Sequence, residues 1–528
     1  MAQPYEYNLG RAFSRTASTH ADRVALRIPG ETDVRFGALD RLANRFAWIL
    51  IGRGVKRGST IAIVHSKTAN CYALMLASLK IGAAYLNVDE RNPEARLRHV
   101  FSRAEPSLIV VDALAPDVRT GFSAFGVPII DLRSSEVQFE LALASDAEPA
   151  TTEHVTGADP AYLMFTSGST GAPKGVVISH AAVLAFRMWI AHAFDVSTDD
   201  VFTNLNPMYF DNSVFDFYGS LFNGASLVAI GRTLAANPAA MLDELERAGA
   251  TVWFSVPSML IYLTKLDFLE STRLPSIRAI VFGGEGYPKP ELAKLYGIFG
   301  SSKSFYNVYG PTECTCMCSA YCISASDLVE PTGLVTLGPI APNFDVLVLD
   351  ESGVAVEFGD VGELYLGGPQ VGLGYVNDPE LTAASFVQNP RHRSWRDIVY
   401  RTGDLVRLSA DGRSLDFVGR RDHQIKHMGY RIELEEIELA LNSISEIFEA
   451  AVVLVETEHG AGMLAAFTGS VSDVSVREIR DALARCLPDY MLPERIVQLR
   501  VLPKNANGKI DRQALHSLLC AQKTPISR

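Results

Sequence analysis

What this sequence is short of narrows the field first. It has no excess of positive charge: 48 Lys and Arg stand against 60 Asp and Glu, a formal net charge of −12. That balance argues against a nucleic-acid or anionic-membrane binder, though a local anion site on an acidic protein stays open. It lacks a long uninterrupted apolar run, since the best candidate, 73–86, is broken by Lys80 and too poor for a membrane span. The opening MAQPYEYNLGRAF has no basic segment leading into an apolar core, so no signal peptide is expected and the default compartment is cytoplasmic. Internal repeats and low-complexity tracts are also missing. Cysteine is sparse and odd in number, seven in 528 residues, which speaks against a disulfide framework. Four of them crowd into CTCMCSAYC, 314–322. CTCMC does not offer ligand knuckles at metal spacing. On a strand Cys314, Cys316 and Cys318 would share one face, and a buried strand lined with small apolar side chains is the expectation.

What is present belongs to a large globular protein: 48% hydrophobic and 20% charged residues, in a chain too long for one ordinary domain. A short apolar run at 60–65 reads as a buried strand. An amphipathic helix at 69–82, a strand at 83–89, a helix at 93–103 and a strand at 108–111 follow. Strands alternating with helices predict α/β layering with largely parallel sheets. Stretches 338–350 and 362–374 read as all-β, a small β-subdomain. The tail mixes helices at 434–443 and 476–486 with strands at 450–455 and 463–468.

The chain is organised around YLMFTSGSTGAPKGVVISH, 162–180. An apolar run enters a loop of small and hydroxyl residues, and a second apolar run leaves it: strand, loop, strand. Glycines let backbone N–H groups approach an anion, and Thr166, Ser167, Ser169, Thr170 and Lys174 beside Gly168 would complete a polyphosphate cradle. It is not a Walker A loop, because no Gly-Lys-Ser/Thr follows the glycines. The competing reading is a flexible surface loop. Downstream, Asp211 in YFDNSVFDFYGS sits in apolar company, where an unpaired carboxylate would be costly, so it wants a cationic partner. GGEGYP, 283–288, with Gly284 and Glu285, suits a backbone lying against a planar ligand, a plain turn being the alternative.

TSGSTGAPKG resembles the phosphate loop of the adenylate-forming superfamily: acyl-CoA synthetases, luciferases and adenylation domains of nonribosomal peptide synthetases. NVYGPTECT at 307–315, YRTGDLVRL at 400–408, GRRDHQIKHMGYRIELEEIE at 419–438 and PKNANGKIDRQAL at 503–515 resemble further motifs of that family, in its order, so the likeness covers about 8–515. One departure, Asn87-Val88 where the family more often has Pro-Leu or Pro-Ile, lies away from the expected chemistry. FDNSVFDFY and QIKHMGYRIELEEIE also look similar to stand-alone D-alanine–carrier-protein ligases.

The resemblance implies an α/β fold: a large N-terminal domain, 1–420, of two α/β layers plus a β-subdomain, and a small mobile α+β C-terminal lid, 421–528, hinged at Asp422. It implies ATP and Mg²⁺, with amino acid converted to aminoacyl-AMP and pyrophosphate. Tyr309 would stack on adenine, with Asn307 at its edge and Gly310 beside it. Thr312 would lie near the α-phosphate, Glu313 would bind Mg²⁺, Asp404 the ribose hydroxyls and Arg420 ribose or phosphate. Lys509 on the lid, with Thr166, Glu313 and Lys426, would carry catalysis. Asp211 would receive the substrate ammonium. Asn212, Phe215, Phe254, Val281, Gly283, Val308, Cys316 and Met317 would line the side-chain pocket. That lining carries no charge beyond Asp211 and suits a neutral, small to medium aliphatic amino acid. The acyl group is expected to pass to the phosphopantetheine of a separate carrier protein, because the residues after 515 are too few to fold as a carrier. A locally basic rim, with Arg421 and Lys426 as candidates, would meet that partner. The alternatives are an acyl-CoA ligase and a binding protein that has kept the fold without the chemistry.

Overall fold

Runs of four or five buried β-branched and aromatic residues, apolar on both faces, build the parallel centres of two large sheets. The structure, a computed structural model, describes residues 6–112, 121–168, 171–409, 412–456, 462–470, 474–505 and 509–521. These form two compact units. The larger comprises Met1–Glu90, Arg103–Phe165 and Gly175–Arg421; the smaller gathers Asp422–Arg528 with two earlier segments, Arg91–Ser102 and Thr166–Lys174. The mixed α/β class is as the sequence implies.

The first sheet runs, in spatial order, Gly374–Tyr375, Lys174–Ser179, Pro160–Thr166, Ala84–Val88, Thr60–Val64, Leu108–Val111 and Ile129–Asp131. The second runs Ser319–Cys322, Ser304–Tyr309, Ala279–Gly283, Val252–Ser255, Val201–Asn204, Ser226–Ala229, Val24–Arg27 and Val34–Arg35. Its six inner strands are parallel and both edge strands antiparallel. The β-subdomain is antiparallel, its longest strand Ile398–Leu408 flanked by Val361–Gly367 and Ser414–Arg420.

The helix Ala69–Ile81 departs from expectation. Thr68 caps it by accepting from the Cys71 N–H, and Gly82, at φ 71°, ends it. It is not amphipathic: every residue from Cys71 to Ile81 is buried. Lys80 is wholly buried and tolerated there because its ammonium lies 2.9 Å from Asp40. Among the described residues no helix is long and apolar enough to cross a membrane.

In the smaller unit a hairpin, Gln424–His427 with Tyr430–Glu433, leads into the helix Leu434–Asn442. A three-stranded sheet follows, Ile447–Glu456 antiparallel to Gly462–Ser470 and the latter parallel to Arg495–Leu499. The helix Val476–Ala484 opens with a reciprocal cap between Ser475 and Glu478. Ile432, Ile437, Leu441, Val452 and Leu464 belong to this unit's own core.

Candidate active site

In the larger unit the hairpin between Ser304–Tyr309 and Ser319–Cys322 carries much of the expected chemistry. Its tip is tightly folded. Thr315 and Cys316 both have positive φ, 60° and 74°, which non-glycine residues adopt only at a cost. Gly310 is required here, since a Cβ on it would stand 2.4 Å from the Met317 Cα. Cys314, Cys316 and Cys318 are therefore not on a strand. They are buried in a single 3-10 turn and the left-handed bend after it. Alternating small residues look like a strand in sequence, but the glycine and the bend override the period of two.

This loop faces the start of the helix Asn212–Leu221. Asp211, half-buried just before that helix, accepts from the Thr312 hydroxyl at 2.5 Å. Burial first, and then the Asp211 charge, push the Cys316 thiol well up, and that thiol is hydrogen-bonded to the Phe215 backbone. The Phe215 ring meets Phe254 edge-on at 5.2 Å. Strand register sets Phe254 beside Val281 and Gly283 beside Val308. A Cβ on Gly284, which sits at φ 86°, would lie 3.7 Å from the Asn212 amide nitrogen. The structure thus gathers Asp211, Asn212, Phe215, Phe254, Val281, Gly283, Val308 and Cys316, with Met317 buried on the same loop. Glu285 accepts from the Ser258 hydroxyl at 2.7 Å.

Glu313 is fully buried, and the Tyr375 hydroxyl donates to it at 2.8 Å. The Asn307 amide donates to the Thr336 carbonyl at 2.9 Å, so its donor side serves the backbone. Asp404, 3% exposed, uses both oxygens: one accepts from Tyr309 at 2.5 Å and the other from Arg420 at 2.5 Å. The sequence reading set Asp404 open to two hydroxyls, but here it ties Tyr309 to Arg420. Burial and then the Asp404 charge hold the Tyr309 phenol well above its usual range. Arg421 is bound to Glu363 at 3.0 Å.

The remaining site residues lie in the smaller unit. Thr166 and Ser167 are buried. The Ser167 hydroxyl donates to the Arg431 carbonyl at 2.7 Å and accepts from the Glu433 N–H at 3.2 Å. The Gly168 N–H, expected to face phosphate, donates to Glu436 at 3.3 Å, and Glu436 in turn is paired with Arg96 at 2.5 Å. Lys174 acts electrostatically on Glu433, whose carboxyl is raised chiefly by burial. Lys426 is half-buried in the hairpin and Asp422 is exposed. Lys509 is exposed, and its carbonyl accepts from the Asn505 N–H at 2.7 Å. Ser169 and Thr170 lie outside the described residues. Sequence reasoning missed Tyr375, Glu436, the half-buried Lys67 and the buried Asp216, because a lone Tyr or charged residue carries no motif.

The sequence pattern of the AMP-binding enzyme family matches residues 13–376, and that of the AMP-binding enzyme C-terminal domain matches 436–509. The chain belongs to this family. Bacitracin synthase 1 of Bacillus licheniformis is 34% identical to this AMP-binding enzyme over 499 residues, 93% of the chain and 9% of that protein. The dimodular nonribosomal peptide synthase of Bacillus subtilis is 34% identical over 515 residues, 95% of the chain and 20% of that protein. The chain thus spans a small part of the curated relatives it matches. Among solved structures it is similar to holo-PA1221, an NRPS protein containing adenylation and PCP domains bound to a vinylsulfonamide inhibitor. The TM-score is 0.83 at 27% identity, covering 96% of this chain and 84% of that one. The Vibrio cholerae adenylation domain AlmE shares the fold, with a TM-score of 0.84 at 23% identity over 99% of both chains. The AMP-binding enzyme is an adenylate-forming enzyme of the nonribosomal-peptide-synthetase adenylation type.

Proposed function

We propose that this AMP-binding enzyme activates a small to medium neutral aliphatic amino acid as aminoacyl-AMP and passes it to the phosphopantetheine thiol of a carrier protein. The observation that carries the reading is Asp211. Of the pocket-lining residues named above, Asp211, Asn212, Phe215, Phe254, Val281, Gly283, Val308, Cys316 and Met317, it alone is ionisable to a carboxylate, while the nearby Asp216 is taken up by the Asn204 and Asn206 amides. In such surroundings a carboxylate pairs an ammonium strongly, and a charged substrate side chain would have no counterpart. Phe215, Phe254, Val281 and Val308 favour an aliphatic group, and Asn212 shortens the space open to it.

A substrate carboxylate oxygen attacks the α-phosphorus of ATP, the bond to the bridging oxygen breaks, and pyrophosphate leaves. No side-chain nucleophile is needed, so positioning and charge stabilisation dominate. Thr312 orients Asp211 on the amine. Tyr309, Asp404 and Arg420, already locked together, serve the nucleoside as one rigid unit. Lys509 acts on carboxylate and α-phosphate, and Lys174 with the loop from Thr166 on the departing phosphates. Glu313 fits Mg²⁺: it is a buried carboxylate oriented by Tyr375, and Mg²⁺ takes one or two carboxylates plus phosphate oxygens. The bound ion would offset phosphate charge. In the second half-reaction the carrier thiol attacks the acyl carbonyl, its proton is lost, and AMP leaves.

The test is an amino-acid-dependent pyrophosphate-exchange panel with wild-type and Asp211→Ala enzyme. Exchange with alanine- to valine-sized residues, reduced roughly 100-fold or more in the variant, is expected from loss of a buried charge partner. Exchange supported only by carboxylic acids without an amine, and untouched by the substitution, would establish an acyl-CoA ligase instead.

A further inference from the structure

A largely buried polar network, none of whose side chains has a role assigned above, links the helix Asn212–Leu221 to the neighbouring strands. Asp216, the residue after Phe215, is fully buried. One of its oxygens accepts from the Asn204 amide at 3.0 Å and from the Asn206 amide at 3.1 Å. The same Asn206 amide donates to the Phe254 carbonyl at 3.2 Å. Asn204 is held in turn: the Tyr72 hydroxyl donates to its side chain at 2.7 Å and the Lys67 ammonium to its carbonyl at 2.6 Å. Lys67 also donates to the carbonyls of Leu205 at 3.2 Å and Ile230 at 3.0 Å, so one ammonium gathers the ends of two neighbouring strands.

A buried carboxylate is costly, and burial pushes this one up, opposed by the two amides and by Lys67. What the arrangement achieves is mechanical. Phe215 and Phe254 form two walls of the pocket, on different elements, and meet through nothing stiffer than an edge-to-face contact. The path from Asp216 through Asn206 to the Phe254 carbonyl ties the backbone behind one wall to the backbone behind the other. Asn204 and Lys67 anchor that path to the sheet.

We propose that Asp216 is a positioning residue that fixes the spacing of Phe215 and Phe254 and so sets which amino-acid side chains the pocket accepts. This rests on the reading of the pocket given above. Asp216→Asn keeps an acceptor for both amides, whereas Asp216→Leu keeps the bulk and removes the acceptor, leaving two buried amides unmatched.

The experiment measures kcat and KM by pyrophosphate exchange for glycine, alanine, valine, leucine and phenylalanine, together with the KM for ATP. Wild type and Asp216→Asn should rank the amino acids alike. Asp216→Leu should raise KM for the preferred residue about tenfold and flatten the kcat/KM ratio between it and the next larger residue by about tenfold, the scale on which pockets discriminate single methylenes. The KM for ATP should not move. If Asp216→Leu does not fold, Asn206→Ala, which cuts only the bridge, should flatten the same ratio. An unchanged ranking in folded Asp216→Leu or Asn206→Ala overturns the proposal, as does a KM for ATP that rises in parallel. If wild type exchanges with no amino acid, the reading of the substrate falls. The same variants compared on carboxylic acids of increasing chain length then decide the clamp by the same criterion.

Discussion

Lys509 is exposed, and the function proposed above places its ammonium at the reacting phosphorus. A cation that meets charge only as it develops at phosphorus accelerates the step without tightening ground-state binding. Lys509→Ala should therefore lower adenylate formation by roughly 100-fold or more, the scale of losing one charge-assisted contact to a transition state. Transfer from a supplied aminoacyl-AMP to a carrier should be largely spared, since that half-reaction does not pass through the α-phosphate attack. Single-turnover assays of each half-reaction separate the two, and a near-wild-type rate of adenylation would remove Lys509 from its role. Tyr309, Asp404 and Arg420 carry the converse lesson. Each was legible in a motif, but that they hold one another was not, because Asp404 meets Arg420 through strand register and Tyr309 reaches Asp404 from a different sheet.

At the scale of elements, short apolar runs such as 60–65 and 252–256 read plainly as buried strands, because both faces are covered. The helix Ala69–Ile81 was harder. Lys80 gave it a polar residue that looked outward, and partners distant in sequence, Asp40, Glu148 and Ser14, explain why it points in. The 312–318 bend was illegible for a related reason: its shape is set by the backbone crossing at Gly310, not by local propensity. Another long-range joint yields a prediction. His180, fully buried at the start of the helix His180–Ala193, accepts from the Leu9 N–H at 3.0 Å and so fastens the helix Leu9–Thr19. Burial lowers it to about 4, with Asp159 opposing. A histidine lowered on folding binds its proton more readily when unfolded. Its contribution is thus intact above the unfolded value near 6.5 and is lost as pH falls towards 4, on the order of 3 kcal/mol in all. His180→Asn, which keeps an acceptor for Leu9, should reduce the slope of unfolding midpoint against pH between about 4 and 6.5. His65, lowered to about 3 by burial and then by Lys67, would retain part of it. A slope identical to wild type would show that His180 is not held neutral.

For the whole molecule, the order of the motifs announced an α/β enzyme with a second, smaller unit. The sequence reading put a basic rim at Arg421 and Lys426, and Arg421 is paired with Glu363 at 3.0 Å. The proposed function has two half-reactions with different demands: in that proposal one uses Lys509 at phosphorus and the other a thiol at the acyl carbonyl. A change of place by one segment between the two steps is the corresponding proposal, and such steps often turn on a few hinge positions. The chain passes from the larger to the smaller unit at Arg421 and Asp422. Asp422 is exposed, and its carboxylate accepts from the Gln424 N–H at 3.3 Å. Asp422→Pro fixes φ near −65° at that position. It should leave pyrophosphate exchange within about threefold of wild type while slowing carrier loading by about tenfold or more, an added barrier of roughly 1.4 kcal/mol. Asp422→Ala, which removes only the side-chain turn, should load the carrier normally. Equal loading by the proline variant would mean that the second half-reaction needs no rotation at Asp422, and loss of both half-reactions would mean that the substitution damages the fold instead of a hinge.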